Sequence, residues 1–183
     1  MPIESPPLPD AQTLARLERG ETLIRSDAAS GSGVPRVLLQ AMIDAAPAKV
    51  WRHIDDSARY QDFMPRVKKS EELSRAGDVI RSRVTIDMPF PLKNLTATSR
   101  AVHTVRDGEL YQRAWQMESG DYEVNEGAWT LVPHPSRLDR TLVSYEARVQ
   151  PKIPLPGALK QMAQEKALPS LVEALRARVK AFG

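Results

Sequence analysis

The residues that do chemistry most often are sparse here and poorly grouped. The three histidines are His53, His103 and His134. None has a second histidine or a carboxylate at a recognised metal spacing, such as the i,i+4 pair of HExxH. Ser99 and Ser144 lie outside any GxSxG-type nucleophile signature. There is no cysteine, which excludes disulfides, thiolate catalysis and cysteine-held zinc. Asp55-Asp56-Ser57 reads as a helix stop and N-cap and receives no catalytic role. No glycine-rich phosphate cradle, dinucleotide fingerprint or RNA-binding aromatic motif is present. The expectation is a site with no metal, no cofactor and no assigned catalytic residue.

Two polar residues stand out by the company they keep. Tyr111, Arg113, Trp115 and Met117 share one face of a strand by alternation. Three of them are large and polarisable, which suits a cavity wall. Facing inward, Arg113 would pair with an anionic ligand group. An unpaired buried charge is too costly to persist, so the expectation is an Arg113 near a mouth, or turned outward by a bulge. Val143, Tyr145, Ala147 and Val149 form a second inward face. There the Tyr145 hydroxyl would orient a ligand, or bond a backbone carbonyl at the sheet edge. Trp51 and Trp129 read as core indoles, and Gly127 as a point of close backbone approach or a bulge.

The elements that position these residues follow from period and punctuation. Ala11–Arg19 forms one short helix, with Leu14 and Leu17 on its apolar side. Before it, residues 1–10 hold four prolines and read as a tail. Glu21–Arg25 and Arg36–Asp44 pair as a hairpin around the Ala29–Gly33 turn. Ile43–Val67 then carries two clipped helices, the first starting at Pro47 and the second ending at Phe63-Met64-Pro65, before the chain returns to strand. Val79–Met88 alternates, with Ile80, Ser82, Val84, Ile86 and Met88 on one face. Strands follow at Asn94–Val105, Leu110–Glu118, Tyr122–Val132 and Thr141–Gln150, with a loop over Pro133–Arg140. From Gly157 the period is helical through Leu168, Leu171, Leu175, Val179 and Phe182. Pro169 inside that pattern predicts a kink or two consecutive helices. The domain boundary is set at 19/20, with a single domain over 20–183. A long antiparallel meander must curl, and a helix lying in it leaves a space where ligands bind.

Composition bounds the function. The chain has 183 residues, with 26 Lys and Arg against 23 Asp and Glu, for a net charge of +3. The basic clusters are interspersed with acids, so solvated faces are expected rather than a nucleic-acid interface. No apolar run is long enough to span a bilayer, and the first ten residues lack the form of a secretory signal. A soluble cytoplasmic protein is the expectation.

Five segments in order resemble one family: IDAAPAKVW (43–51), YQDFMPRV (60–67), GAWTLVP (127–133), TLVSYE (141–146) and LPSLVEALRAR (168–178). Over Arg36–Phe182 the chain is similar to the START-like, helix-grip superfamily. Within it, the likeness is to polyketide cyclase/dehydrase and lipid-transport proteins, including coenzyme-Q-binding ones. The resemblance implies an α+β fold, a curved antiparallel sheet wrapped around a long C-terminal helix, with an internal apolar cavity for a lipid, quinone or polyketide-like molecule. Phe63, Met64, Met88, Phe90 and Met162 would then surround one opening. Ile86, Tyr111, Arg113, Trp115, Met117 and Tyr145 would line the interior. Carriage of a hydrophobic molecule is the first expectation, with peripheral membrane contact for exchange. A cofactor-free cyclase or dehydratase is the alternative, and a ribosome-docking module the third. The resemblance leaves oligomeric state open.

Overall fold

A computed structural model describes residues 7–27 and 33–183. The first six residues, and with them most of the proline-rich tail, lie outside the described residues, as does most of the Ala29–Gly33 turn. Eight strands form one antiparallel sheet: β1 (Leu23–Asp27), β2 (Arg36–Ile43), β3 (Val67–Ala76), β4 (Val79–Ile86), β5 (Leu95–Arg106), β6 (Leu110–Gly120), β7 (Tyr122–His134) and β8 (Arg137–Pro151). Their order is β1-β2-β8-β7-β6-β5-β4-β3. α2 (Pro47–Asp55) and a 3-10 helix (Ser57–Asp62) carry the chain from β2 to the far edge at β3. The sheet therefore has a helical cap across one end.

Long strands bend where the pairing register slips. Slips occur twice on β3, once between β5 and β6, and twice between β7 and β8. Each bulge adds local twist, and the sheet curls into an α+β helix-grip fold. The pattern predicts a loop over Pro133–Arg140. Instead β7 and β8 continue to a tight hairpin in which His134 opposes Arg137. Pro133 pairs with Thr141 immediately before the register slip at His134. β3 is an edge strand, and Lys68, Lys69, Glu71, Glu72 and Arg75 make it, for its length, the most charged of the run. That polarity hides its alternation in the sequence.

The C-terminal segment runs as α3 (Gly157–Met162), a π turn (Ala163–Ala167) and α4 (Leu168–Phe182). Pro169 sits in the first turn of α4, where a missing N–H costs least. The π turn takes up the disruption: Leu168 N–H donates to Ala163 C=O, five residues back. α4 buries Val172, Leu175 and Val179 against Leu39, Ala41 and Ile43 on the concave face. α3 and the π turn bury nothing. The helix is thus gripped at one end and stands off at the other.

α1 (Ala11–Glu18) packs on the opposite, convex face. Leu17 is fully buried there against Met42 and Leu142. Asp10 caps the helix, accepting from Thr13 N–H at 2.7 Å. Glu18 meets His134 at 2.5 Å, and Arg176 of α4 donates to the Met42 and Gly20 carbonyls. Residues 11–18 therefore pack against the sheet, just before the domain start expected at 20. Leu17→Ala is expected to lower stability by about 2–5 kcal/mol through the cavity it leaves. Urea unfolding of the two proteins checks this, and coincident midpoints would mean that α1 is not packed in solution.

Candidate functional site

A cavity of about 1040 Å³ lies between the concave face and the stand-off half of the C-terminal segment. Ligand pockets commonly span about 300–1,000 Å³, so this one has room for a large apolar molecule. Its wall is built from alternate residues: Ser82, Val84 and Ile86 of β4, Arg113 and Trp115 of β6, Trp129 of β7, and Tyr145 and Ala147 of β8. Leu159, Met162, Leu168 and Leu171 close it from the helical side. The lining runs from buried Ser82 out to exposed Lys152 and Ile153, so the cavity opens beside the β8–α3 loop.

Three aromatic rings form the back wall. Tyr145 stacks on Trp115, with centroids 5.7 Å apart, and leans on Trp129 at 4.7 Å. Trp115 fits because Gly127 faces it across the strand pair: a Cβ there would lie 2.6 Å from the indole and 2.1 Å from the Glu146 carbonyl oxygen. The indole N–H donates to Asn125 Oδ1 at 3.0 Å. Tyr145 sits on a central strand rather than at the sheet edge, and its hydroxyl has no hydrogen-bond partner among the described residues. Burial pushes that hydroxyl up to about 12, and Tyr122, also on the wall, to about 12. Both stay protonated donors at neutral pH.

Arg113 departs from the sequence expectation. It faces inward and is 4% exposed. Its Nη1 bonds His103 Nε2 at 2.8 Å and its Nη2 donates to Ser82 Oγ at 3.2 Å. Its guanidinium carbon lies 5.8 Å from the Tyr60 ring centroid. Behind it, His103 Nδ1 meets Asp55 Oδ1 at 3.1 Å, and Arg75 ties Asp55 to Glu72. Burial first, then the Arg113 charge, pulls the His103 imidazole down to about 4. A neutral ring with Nδ1–H toward Asp55 leaves the Nε2 lone pair for Arg113. The charge persists because it has bonds the sequence did not reveal, not because it escapes burial.

The other expected residues divide. Met64, Ile86, Met88, Arg113, Trp115, Tyr145 and Met162 are on the cavity wall. Phe63 packs instead beside Tyr60, His53 and Arg178 at the helical cap. Tyr111 lies in the core against Trp51, its hydroxyl bonded to Asp107. Met117 fills a satellite cluster with Leu95, Ala97 and Tyr122. Phe90 is 97% exposed, because Pro89 and Pro91 hold it on a turn outside the sheet. Asp55, read as a helix stop, is the acceptor behind His103, and Ser57 Oγ makes no cap bond. His103, Ser82, Tyr122 and Asn125 carried no motif. The strand register sets His103 opposite Arg113.

Among the described residues no group of three His, Asp or Glu could hold a metal ion, and no helix is long and apolar enough to cross a membrane. A second depression, about 370 Å³, lies on the convex face among Arg36, Arg100, Arg148, Glu126 and Glu146. Its acids are matched by Arg36 and Arg148 at 3.6 and 3.7 Å.

The family model for polyketide cyclase/dehydrase and lipid transport matches residues 43–176. The chain belongs to that family. The match spans the capping helices, β3–β8 and most of α4, the parts that build the cavity. No curated protein matches the chain. Among solved structures, a STAR-related lipid transfer protein from Xanthomonas axonopodis superposes with a TM-score of 0.73 at 17% identity, covering 87% of this chain and 93% of that one. Human StAR-related lipid transfer protein 5 gives 0.73 at 10% identity, covering 94% and 93%. The Zhui aromatase/cyclase from Streptomyces sp. R1128 gives 0.56 at 18%, covering 79% and 93%. These likenesses establish the START-like fold.

A buried imidazole with a lowered pKa has a consequence for stability. The unfolded chain binds a proton at His103 below about pH 6.5, whereas the folded chain does so only near pH 4. Stability must therefore fall as pH drops through that window, by roughly 3 kcal/mol for this group. Urea titrations from pH 7 to 4 are expected to show the fall, with a shallower slope in His103→Gln.

Proposed function

We propose that this family member binds and carries a hydrophobic small molecule in the cavity between sheet and C-terminal helix. The observation that supports the reading is the cavity itself: about 1040 Å³, walled by Trp115, Trp129, Tyr145 and aliphatic side chains. Burying apolar ligand surface contributes about 25 cal/mol per Å² before ordering costs. Arg113 and the free Tyr145 hydroxyl are the donors that orient the polar end. A quinone, a lipid and a polyketide-like compound all satisfy the apolar requirement. The similar Xanthomonas protein is named for lipid transfer, which agrees with carriage.

Catalysis has less support. Among the described residues Tyr145 and Tyr122 sit near 12 and both His103 ring nitrogens are engaged, so neither the hydroxyls nor the imidazole is set to exchange a proton near neutral pH. One observation favours a cyclase as second reading, since Arg113 would stabilise an enolate developing beside it. A docking module for a ribosome predicts a small or absent pocket, which this cavity does not match.

Exchange with a bilayer fits the mouth. Phe90 is held in solvent by flanking prolines, Lys93 follows it, and Arg66, Lys152 and Lys160 line the opening. An apolar tip among cations suits an anionic lipid surface.

Native mass spectrometry of the protein purified under mild conditions is expected to show a bound apolar molecule, and the stripped protein to take up a fluorescent apolar probe. Val84→Trp, which fills the wall from β4, is expected to weaken uptake by more than about tenfold with the fold retained by circular dichroism. Full uptake by that variant would place the probe elsewhere. Phe90→Glu is expected to reduce co-sedimentation with phosphatidylserine vesicles while leaving probe affinity in solution unchanged.

A further inference from the structure

The cavity lining is one-signed. Its charged residues are Arg66, Arg113, Lys152 and Lys160, and no Asp or Glu is among the described residues of the wall. Composition does not account for this, because the chain holds 26 basic and 23 acidic residues. Three of the cations stand at the mouth, in water. The fourth, Arg113, lies inside on β6, where its charge is screened least.

The partners of Arg113 are all neutral. His103 offers a lone pair, Ser82 a hydroxyl and Tyr60 a ring face. The two nearby acids are committed elsewhere: Asp55 and Glu72 both bond Arg75 at 2.8 Å, and Asp55 reaches Arg113 only through the His103 ring. A guanidinium has five N–H donors, and the protein engages Arg113 through two hydrogen bonds. The remaining donors belong to a side chain on the wall of an apolar space, where an unmatched cation is costly. A planar group with two oxygens and one negative charge satisfies the fork and the charge together.

We propose that the ligand is an apolar molecule bearing a carboxylate, and that Arg113 receives the carboxylate inside the cavity. The inference rests on the reading of the cavity as a ligand site and narrows its chemical class. The apolar body lies along Trp115, Tyr145 and Trp129, and the basic mouth draws the anion in from outside. His103 and Ser82 act as positioning residues that hold the fork open toward the cavity.

The test compares two probes that differ only in charge, cis-parinaric acid and its methyl ester. Binding is read at pH 8 by energy transfer from the cavity tryptophans, in the wild-type chain and in Arg113→Met. The wild type is expected to hold the acid about tenfold or more tighter than the ester. In R113M the acid loses that advantage, so that acid and ester bind with similar affinity. Equal binding of acid and ester by the wild type overturns the proposal while leaving the apolar site standing. A preference for the acid that persists undiminished in folded R113M also overturns it, and assigns the effect to the cations of the mouth. Uptake of neither probe overturns the cavity reading and this inference with it. Where R113M does not fold, a chain carrying Arg66→Gln, Lys152→Gln and Lys160→Gln takes its place: an acid preference kept there supports Arg113 as the receiving group, and its loss overturns the proposal.

Discussion

The structure depends on how unequally the sheet holds its helix. Val172, Leu175 and Val179 of α4 meet Leu39, Ala41 and Ile43, and this contact fixes the C-terminal half of the segment in the trough. Toward its N-terminal end the segment buries nothing. The sheet keeps curling past the point where the helix stops touching it, because its bulges and long strands are set by backbone pairing, not by helix contact. The unfilled part of the trough is the cavity. Helical cap, aromatic back wall and mouth are all arranged around that one mismatch.

Polar groups enter this apolar space under strict accounting. The Arg113–His103–Asp55–Arg75 chain runs from the wall to the surface, and each link has a donor facing an acceptor. Its imidazole is the link next to Arg113, so the chain transmits position without bringing the Asp55 carboxylate to the cavity. An imidazole between a guanidinium and a carboxylate also makes the two ends interdependent, since removing either changes which nitrogen keeps the proton.

Much of the architecture was legible because it is written locally. Alternation over Val79–Met88, prolines at 47 and 65, and the apolar spacing of Leu168–Phe182 each report nearby geometry, and each element formed. Five motifs in order then gave the superfamily, which the match over residues 43–176 bears out. The misplacements have a common cause. Arg113 was expected at the mouth or outward because its acceptor is on the neighbouring strand, and pairing register is not visible in one sequence. Tyr111 and Met117 alternate correctly with Trp115 but meet core on either side of the cavity, whose extent along the strand no period encodes. Phe90 looked like lining because it is apolar. Pro89 and Pro91, which flank it, can end a strand but do not show which way the turn between them points. The charged edge strand β3 carried no clear period at all.

The π turn at Ala163–Ala167 has a consequence of phase. Leu159 and Leu168 are nine residues apart, as are Met162 and Leu171. At about 100° per residue, a regular α-helix would set the members of each pair on opposite sides of its axis. Yet all four line the cavity. The turn with five-residue bonding behaves as one inserted residue, takes about 100° out of the winding, and brings the two halves into the same angular sector. The apolar stripe is therefore spliced from two out-of-phase stripes. Rewinding the turn as regular α-helix at full length would leave each half intact and swing one of them away from the cavity. Deleting one residue between 163 and 167 would instead let the segment wind regularly with both halves still aligned.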